Sequence, residues 1–343
     1  MHITRRSTLV AAVASILALF ATGCGRTEES AAPAGQPAQP IKTFAMNVLV
    51  SGVPFFNDTQ DTWRAMGAGL NVKTIYGGPL DTDAQKQIQQ IEAMIAQRVD
   101  GLVIAPTDSA ALAPVINRAV DAGIPVVTYL NDVPQSKRLV SITAEREEGG
   151  LRVGRSVVGQ SAGPAKGIIM FSQVGNEEQE GRRRGFEMLA REVKTLQIVA
   201  TVSDKFDETV GATQLRPLLA KYPDVNYIFG CGSRSAVGAV SALKELHYKP
   251  GQVTVTGWDY DEDVLDLISQ GWVKVTAAQN TPYMTQLAFN VLKARVGGWL
   301  YPINRLFEEN AVRPVPEKIV VPIDLVTAAN SKGYYPRKAK AAH

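Results

Sequence analysis

The chain has 343 residues, 45% of them apolar, with 36 basic against 33 acidic residues. That is enough apolar content for one large or two medium-sized domains. The small net charge of +3 leaves no electrostatic case for nucleic acid as a partner.

The N-terminus carries a basic head of His2, Arg5 and Arg6, an apolar run over 9–21, and the small-residue stretch Ala21-Thr22-Gly23-Cys24. This is the pattern of a secretory signal peptide over 1–23. The run of about 13 residues is well short of the ~20 a spanning helix needs. A cysteine directly after Ala-Thr-Gly resembles the lipobox of bacterial lipoproteins, so the mature chain is expected to begin at a lipidated Cys24 on the extracytoplasmic (periplasmic) face of a bacterial membrane. An ordinary signal peptide with an incidental cysteine is the alternative. Residues 24–42, rich in Ala, Gly, Gln and Pro, cannot bury enough apolar surface to fold and read as a flexible tether between anchor and domain. Thr4-Arg5-Arg6-Ser7-Thr8-Leu9 also resembles a twin-arginine export signal, but Arg pairs are common in ordinary signal heads, which leaves the export route open. Cleavage removes Arg5 and Arg6 and no acidic residue, bringing the mature chain close to neutral. Apart from Cys24 it holds only Cys231, so no internal disulfide is expected, and Cys231 at the end of an apolar strand reads as a buried, inert thiol.

From residue 43 to 257, short β-rich runs alternate with helical patterns. Strands are predicted at 44–50, 72–76, 101–105 and 124–129, with helices at 58–70, 82–97 and 109–122 between them. Ile88, Ile91 and Ile95 share a face of the second helix, and Leu112, Val115, Ile116 and Ala119 one of the third. Gly123 and Pro125 stop the third helix. The second half repeats the plan, with strands at 167–171, 197–202, 225–229 and 253–256 and helices at 177–192, 208–221, 235–246 and 262–269. Such alternation predicts an α/β fold of βαβ units with two parallel sheets in two similar Rossmann-like lobes. Ligands of open α/β sheets collect beyond the carboxyl ends of the strands, which points to the residues immediately after each strand.

Pro54-Phe55-Phe56, Val99-Asp100-Gly101-Leu102-Val103-Ile104-Ala105-Pro106-Thr107-Asp108, Ala122-Gly123-Ile124-Pro125-Val126-Val127-Thr128, Arg182-Arg183-Arg184-Gly185-Phe186, Gly257-Trp258-Asp259 and Ala278-Gln279-Asn280 occur in that order. With them the chain resembles the type I periplasmic binding proteins of the ribose and galactose-binding group, from about residue 43 to 330. The resemblance implies a hinge of three crossovers near 144–145, 279–280 and 322–324. An N-lobe of 43–144 plus 281–322, a C-lobe of 145–280 plus 323–330, and a tail over 331–343 follow from it.

A sugar presents an apolar ring face and a rim of hydroxyls, so its site needs flat aromatic surface and charged groups that make strong, directional hydrogen bonds. By resemblance Phe55, Phe56, Phe206 and Trp258 match the aromatic positions, and Arg182, Asp259 and Gln279 the polar ones. For Phe56 and Phe206 plain burial in a core is the competing reading. The departures are equally informative. Asparagines of the family pattern are replaced by Val53, Ala105 and Gly232, and its aspartate and arginine after the fourth strand by Leu130 and Asn131. Asp132 would restore a carboxylate if the strand end slips by two residues. Each lost charge-assisted bond is worth roughly 1.5–3 kcal/mol, which disfavours ribose and favours a ligand with one less hydroxylated face, such as a deoxy sugar, a polyol derivative or a nucleoside-like compound.

Three further patterns carry no chemistry on this reading. Gly159-Gln160-Ser161-Ala162-Gly163 matches a hydrolase nucleophile motif but falls at a helix end before a strand, whereas that chemistry needs a strand-to-helix elbow. The mature chain has only His247 and His343 as imidazole bases. Gly230-Cys231-Gly232-Ser233-Arg234-Ser235 lacks the third glycine of a dinucleotide fingerprint. Asp259, Asp261 and Asp263 start like a calcium loop, but Val264 and Gln270 stand where glycine and glutamate are required, so they read as acids at a helix N-terminus. Arg183 and Arg184 read as a solvated helix face.

The resemblance implies a monomeric, lipid-anchored solute-binding component of an ABC importer. It would capture a small sugar-like ligand by hinge closure and present it to a membrane permease, with no catalysis, cofactor or metal. A sensory lipoprotein feeding a chemoreceptor or membrane histidine kinase is the alternative. A LacI-type repressor shares the fold but needs an N-terminal DNA-binding helix-turn-helix where this chain has a signal peptide.

Overall fold

The computed structural model describes residues 41–158, 164–299 and 315–335. Cys24, the tether as far as Pro40, the 159–163 motif and residues 336–343 lie outside them.

The first half runs β1 (Lys42–Asn47), a 3-10 turn (Pro54–Phe56), α1 (Asn57–Leu70), β2 (Val72–Gly77), α2 (Ala84–Ala96), β3 (Gly101–Ile104), α3 (Ser109–Asp121), β4 (Val126–Tyr129) and β5 (Val140–Ala144). Then follow α4 (Glu147–Val158), β6 (Ala165–Phe171), α5 (Glu177–Glu192), β7 (Leu196–Ser203), α6 (Glu208–Lys221), β8 (Tyr227–Gly230), α7 (Ser233–Glu245), β9 (Thr254–Trp258), α8 (Glu262–Ser269) and β10 (Val273–Gln279). The last described elements are α9 (Thr281–Val296), β11 (Lys318–Val321), β12 (Ile323–Val326) and a 3-10 turn (Ser331–Gly333).

These strands form two sheets, ordered β11-β5-β4-β3-β1-β2 and β12-β10-β9-β8-β6-β7. Every pairing is parallel except the antiparallel β10–β12 pair. Each sheet therefore has the doubly wound order 2-1-3-4-5, with its crevice between the first and third strands, and receives its sixth strand after the chain has visited the other sheet. The chain crosses between sheets after Ala144, after Gln279 and at Pro322, the single residue separating β11 from β12. The first and third crossings are tied together, because Glu145 donates its backbone N–H to Val321 O at 3.0 Å and its carboxylate accepts from Ile323 N at 3.3 Å.

Central strands β3 and β4 are buried at every residue, as expected for parallel sheets covered on both faces. The helical stripe of α3 packs as its spacing predicts, with Leu112, Val115, Ile116 and Ala119 all buried. Its start is fixed by Asp108, which accepts from Ala111 N at 2.7 Å, and Gly123 beyond its end takes φ +84°, the left-handed conformation glycine adopts without strain. On α2 only Ile91 of the three predicted isoleucines is fully buried, while Ile88 and Ile95 pack partly exposed against the same core. β1 stops at Asn47, before the expected end, because residues 48–53 leave the sheet to place the 3-10 turn that carries Phe55 and Phe56. The described residues continue five residues into the expected tail, to Tyr335, whose hydroxyl donates to Asp266 Oδ1 on α8 at 2.8 Å.

Helices α4 and α5 pack with backbones almost touching. A Cβ on Gly150 would lie 2.4 Å from Arg182 O, and one on Gly185 2.2 Å from Glu147 O. Both contacts are too short for any side chain, so this helix pair requires glycine at 150 and 185. That packing fixes where α5 places Arg182.

Candidate functional site

The carboxyl ends of the two sets of strands face each other, and side chains bridge them. Tyr260, just beyond β9, donates its hydroxyl to Asp58 Oδ2 at the start of α1 at 2.8 Å. Arg146, in the first crossover and bonded to Glu178 of α5, reaches Leu130 O beyond β4, also at 2.8 Å.

On the second-sheet wall, the predicted polar residues converge. Arg182 is buried on α5, where Nη2 donates to Glu178 Oε2 at 3.0 Å and Nη1 donates to Cys231 O at 2.8 Å. Its guanidinium lies 4.4 Å from the ring centroid of Trp258, within cation–π range. Trp258 ends β9 and is fully buried, and its far edge is so close to α4 that a Cβ on Gly149 would come within 2.8 Å of it. The indole is therefore a platform for Arg182 more than an open face for a ring. Next in sequence, Asp259 adopts φ 68°, a rare left-handed conformation for a non-glycine residue. It is held there by its N–H to Ala277 O at 2.7 Å and by Thr276 Oγ1 donating to its carbonyl at 2.7 Å. Gln279 Nε2 then donates to Asp259 Oδ1 at 3.0 Å. Burial pushes the Asp259 carboxyl up to about 6, against the opposing pull of Arg182.

The opposite wall is more apolar. Phe56 is buried, Phe55 half-buried, and their rings meet edge to face at 4.9 Å. Leu130 and Ala105 are buried. Asn131 donates Nδ2 to Pro106 O at 3.1 Å. Back on the second-sheet side, Phe206, beyond β7, is 46% exposed and takes φ 60°, with its N–H on Asp204 Oδ1 at 2.9 Å, so it projects from a turn and is not core.

Asp132 does not join this group. Its carboxylate is buried against the Arg138 guanidinium, with Nη2 at 2.9 Å from Oδ2 and Lys318 Nζ at 3.6 Å. It also accepts from Val133 N at 2.7 Å. An acid engaged on every side by its own loop and by β11 has nothing left for a ligand, and the slipped-strand reading of Asp132 is corrected accordingly.

Among the described residues, nine side chains bury a polar atom with no hydrogen-bond partner, and four of these are Asn131 Oδ1, Arg182 Nε, Trp258 Nε1 and Gln279 Oε1. Such an atom costs about 1–3 kcal/mol when left unsatisfied. All four belong to residues expected to line the ligand site, two as acceptors and two as donors. No group of three His, Cys, Asp or Glu among the described residues is placed to hold a metal ion.

The other patterns resolve as packing. Arg234 gathers Asp261 and Asp263, at 3.3 and 2.5 Å, which accounts for the acidic run. Arg183 pairs with Glu180 and Glu187, and Arg184 with Glu147. Cys231 is fully buried, and burial pushes its thiol up. Sequence reasoning missed Arg146, Glu178 and Tyr260. Of these only Glu178 left a signal, its i, i+4 spacing from Arg182.

Residues 44–298 match the model of the periplasmic binding protein domain. The chain belongs to the periplasmic binding proteins. It is 28% identical over 246 residues to the ribose import binding protein RbsB of Bacillus subtilis (strain 168), covering 72% of this chain and 79% of that protein. To the D-ribose/D-allose-binding protein of Pseudomonas aeruginosa it is 33% identical over 210 residues, 58% of this chain and 64% of the relative. A solved sugar-binding protein of a sugar ABC transporter from Bacillus halodurans superposes with a TM-score of 0.79 at 25% identity, covering 86% of this chain and all of the other.

Proposed function

We propose that the protein is the extracytoplasmic solute-binding component of an ABC importer. It takes a small sugar or sugar-like molecule into the cleft between its lobes, and a membrane permease receives the closed form. The observation that carries this reading is the set of partnerless buried polar atoms on Asn131, Arg182, Trp258 and Gln279, in a fold whose relatives are named for sugars. Phe55, Phe56 and Phe206 would supply apolar contact, and Asp259 a carboxylate for hydroxyls. The protein performs no chemistry on its cargo. Ribose is a poor fit, since Val53, Ala105 and Leu130 would face its hydroxyls without partners.

A thermal-shift screen followed by calorimetry tests the ligand class, using D-ribose, D-allose, L-arabinose, D-galactose, deoxy sugars, polyols and nucleosides. Binding to the native state alone adds about 2.7 kcal/mol at a hundredfold excess over Kd. At least one sugar or polyol is expected to stabilise the protein, with ribose no tighter than about millimolar. Stabilisation by none of them contradicts the sugar reading, and a micromolar ribose constant contradicts the specificity argument.

The same reading takes Cys24 as the lipidated anchor. Cys24→Ser is expected to release folded protein into the soluble extracytoplasmic fraction, because one modified residue supplies the whole attachment. Fractionation checks this, and a variant that stays membrane-bound at the wild-type level overturns the lipoprotein assignment.

A further inference from the structure

Arg146 occupies the first crossover, immediately after β5, and each arm of its guanidinium has a different task. Nε donates to Glu178 Oε1 and Nη1 to Glu177 Oε2, both at 2.7 Å, which fastens it to the first turn of α5 on the C-lobe. Nη2 donates to Leu130 O at 2.8 Å, on the N-lobe. Leu130 presents that carbonyl from a φ of 61°, a conformation that costs a leucine energy and persists only where surrounding contacts hold it. The other oxygen of Glu178 holds Arg182 Nη2 at 3.0 Å. Space for the Arg146 stem comes from Gly181, where a Cβ would sit 2.6 Å from Arg146 Cβ.

We propose that Arg146 is a positioning residue that couples closure of the two lobes to the setting of Arg182. With Glu178 as the shared carboxylate, a continuous chain of charged groups runs from the N-lobe backbone to the guanidinium whose Nε remains for a ligand. Opening about the crossovers separates Leu130 from α5, so Arg146 must release one side. If it releases Glu178, the carboxylate that holds Arg182 Nη2 loses the partner that fixes its other oxygen, and if it releases Leu130, the contact that favours closure is lost. Arg182 is thus held in its ligand-ready geometry best in the closed form. This inference rests on the proposed function only in taking Arg182 as a ligand contact.

Two readouts on the unliganded protein test it, so a failed sugar reading leaves them interpretable. The first is the radius of gyration from small-angle scattering, and the second the hydrogen exchange of the Arg182 guanidinium N–H groups by NMR. Arg146→Met, which keeps the stem and removes every donor, is expected to enlarge the radius of gyration and to speed Arg182 exchange, because Glu178 keeps its bond to Arg182 but loses the partner that fixes it. Glu178→Gln keeps shape and the Leu130 bond, so it is expected to speed Arg182 exchange with the radius of gyration unchanged. That split separates coupling from general loosening, and the second variant decides the matter if the first does not fold. Unchanged Arg182 exchange in Glu178→Gln overturns the proposal, as does Arg146→Met with a lower melting temperature but neither readout moved.

Discussion

Asp132→Ala is expected to lower unfolding stability by about 3–5 kcal/mol, the range for removing one partner of a buried ion pair. The side chains of Asp132 and Arg138 are 4% and 1% exposed, so the truncation leaves a guanidinium in the protein interior facing a void. Glu317, at 3.5 Å from Arg138 Nη2, is largely exposed and offsets only part of the loss. The Val133 N–H and the Thr128 hydroxyl, which also bond this carboxylate, lose their acceptor together with the ion pair. Asp132→Asn keeps the shape and is expected to recover a fraction. The effect also has a pH signature. Burial alone would raise the Asp132 carboxyl, but Arg138, Lys318 and the Val133 N–H hold it below the usual carboxylate range. A carboxylate with a depressed folded value stabilises at neutral pH, and that contribution is lost as pH falls below about 4 through the folded value. Urea unfolding at pH 7 and near pH 3 is expected to show a wide gap between wild type and Asp132→Ala that narrows in acid. A variant within 0.5 kcal/mol of wild type at pH 7, the usual range for a surface substitution, contradicts the structural role given to this pair.

That aspartate also shows where reading the sequence stops. The stripe of α3 and the all-apolar β3 and β4 are legible because local periodicity and burial agree there. Strand β5 and helix α4 escaped notice. Gly149, Gly150 and Gly154 make the segment look broken, yet each faces a tight contact, with Trp258, with Arg182 O and with Leu189 respectively. Those contacts are tertiary, and no local pattern announces them. Arg182, Asp259 and Gln279 were found through ordered motifs and lie together. By contrast, Asp132 looked like a replacement for a missing ligand carboxylate, because nothing short of the fold shows Arg138 closing back on it six residues later. Trp258 was anticipated as a stacking face, whereas the fold seats Arg182 over it. Arg146 was invisible for the same reason, since its three partners come from two helical residues and a loop on opposite lobes.

In the proposed function Arg182 and Asp259 grip a sugar-like ligand from the second-sheet wall, and the consequences for binding are large. Truncating one partner of a buried charge-assisted bond costs the bond plus the desolvation of the group left behind, together about 2–5 kcal/mol. Asp259→Ala and Arg182→Ala are therefore each expected to weaken binding roughly thirty-fold or more. Asp259 adds a pH dependence with opposite signs for binding and folding. Its carboxyl is pushed up to about 6 by burial, so ligand affinity is expected to fall as pH drops below 6 and the acceptor is protonated. Unliganded stability instead gains over the same descent, because a carboxyl raised in the folded state binds its proton more tightly there than in the unfolded chain. The decisive measurement is calorimetric titration of wild type, Asp259→Ala and Arg182→Ala with the tightest-binding sugar of the panel, alongside unliganded melting temperatures. The predicted result is a thirty-fold or greater loss in both variants with folding retained, and unchanged affinity in either one would contradict the placement of the ligand between these lobes.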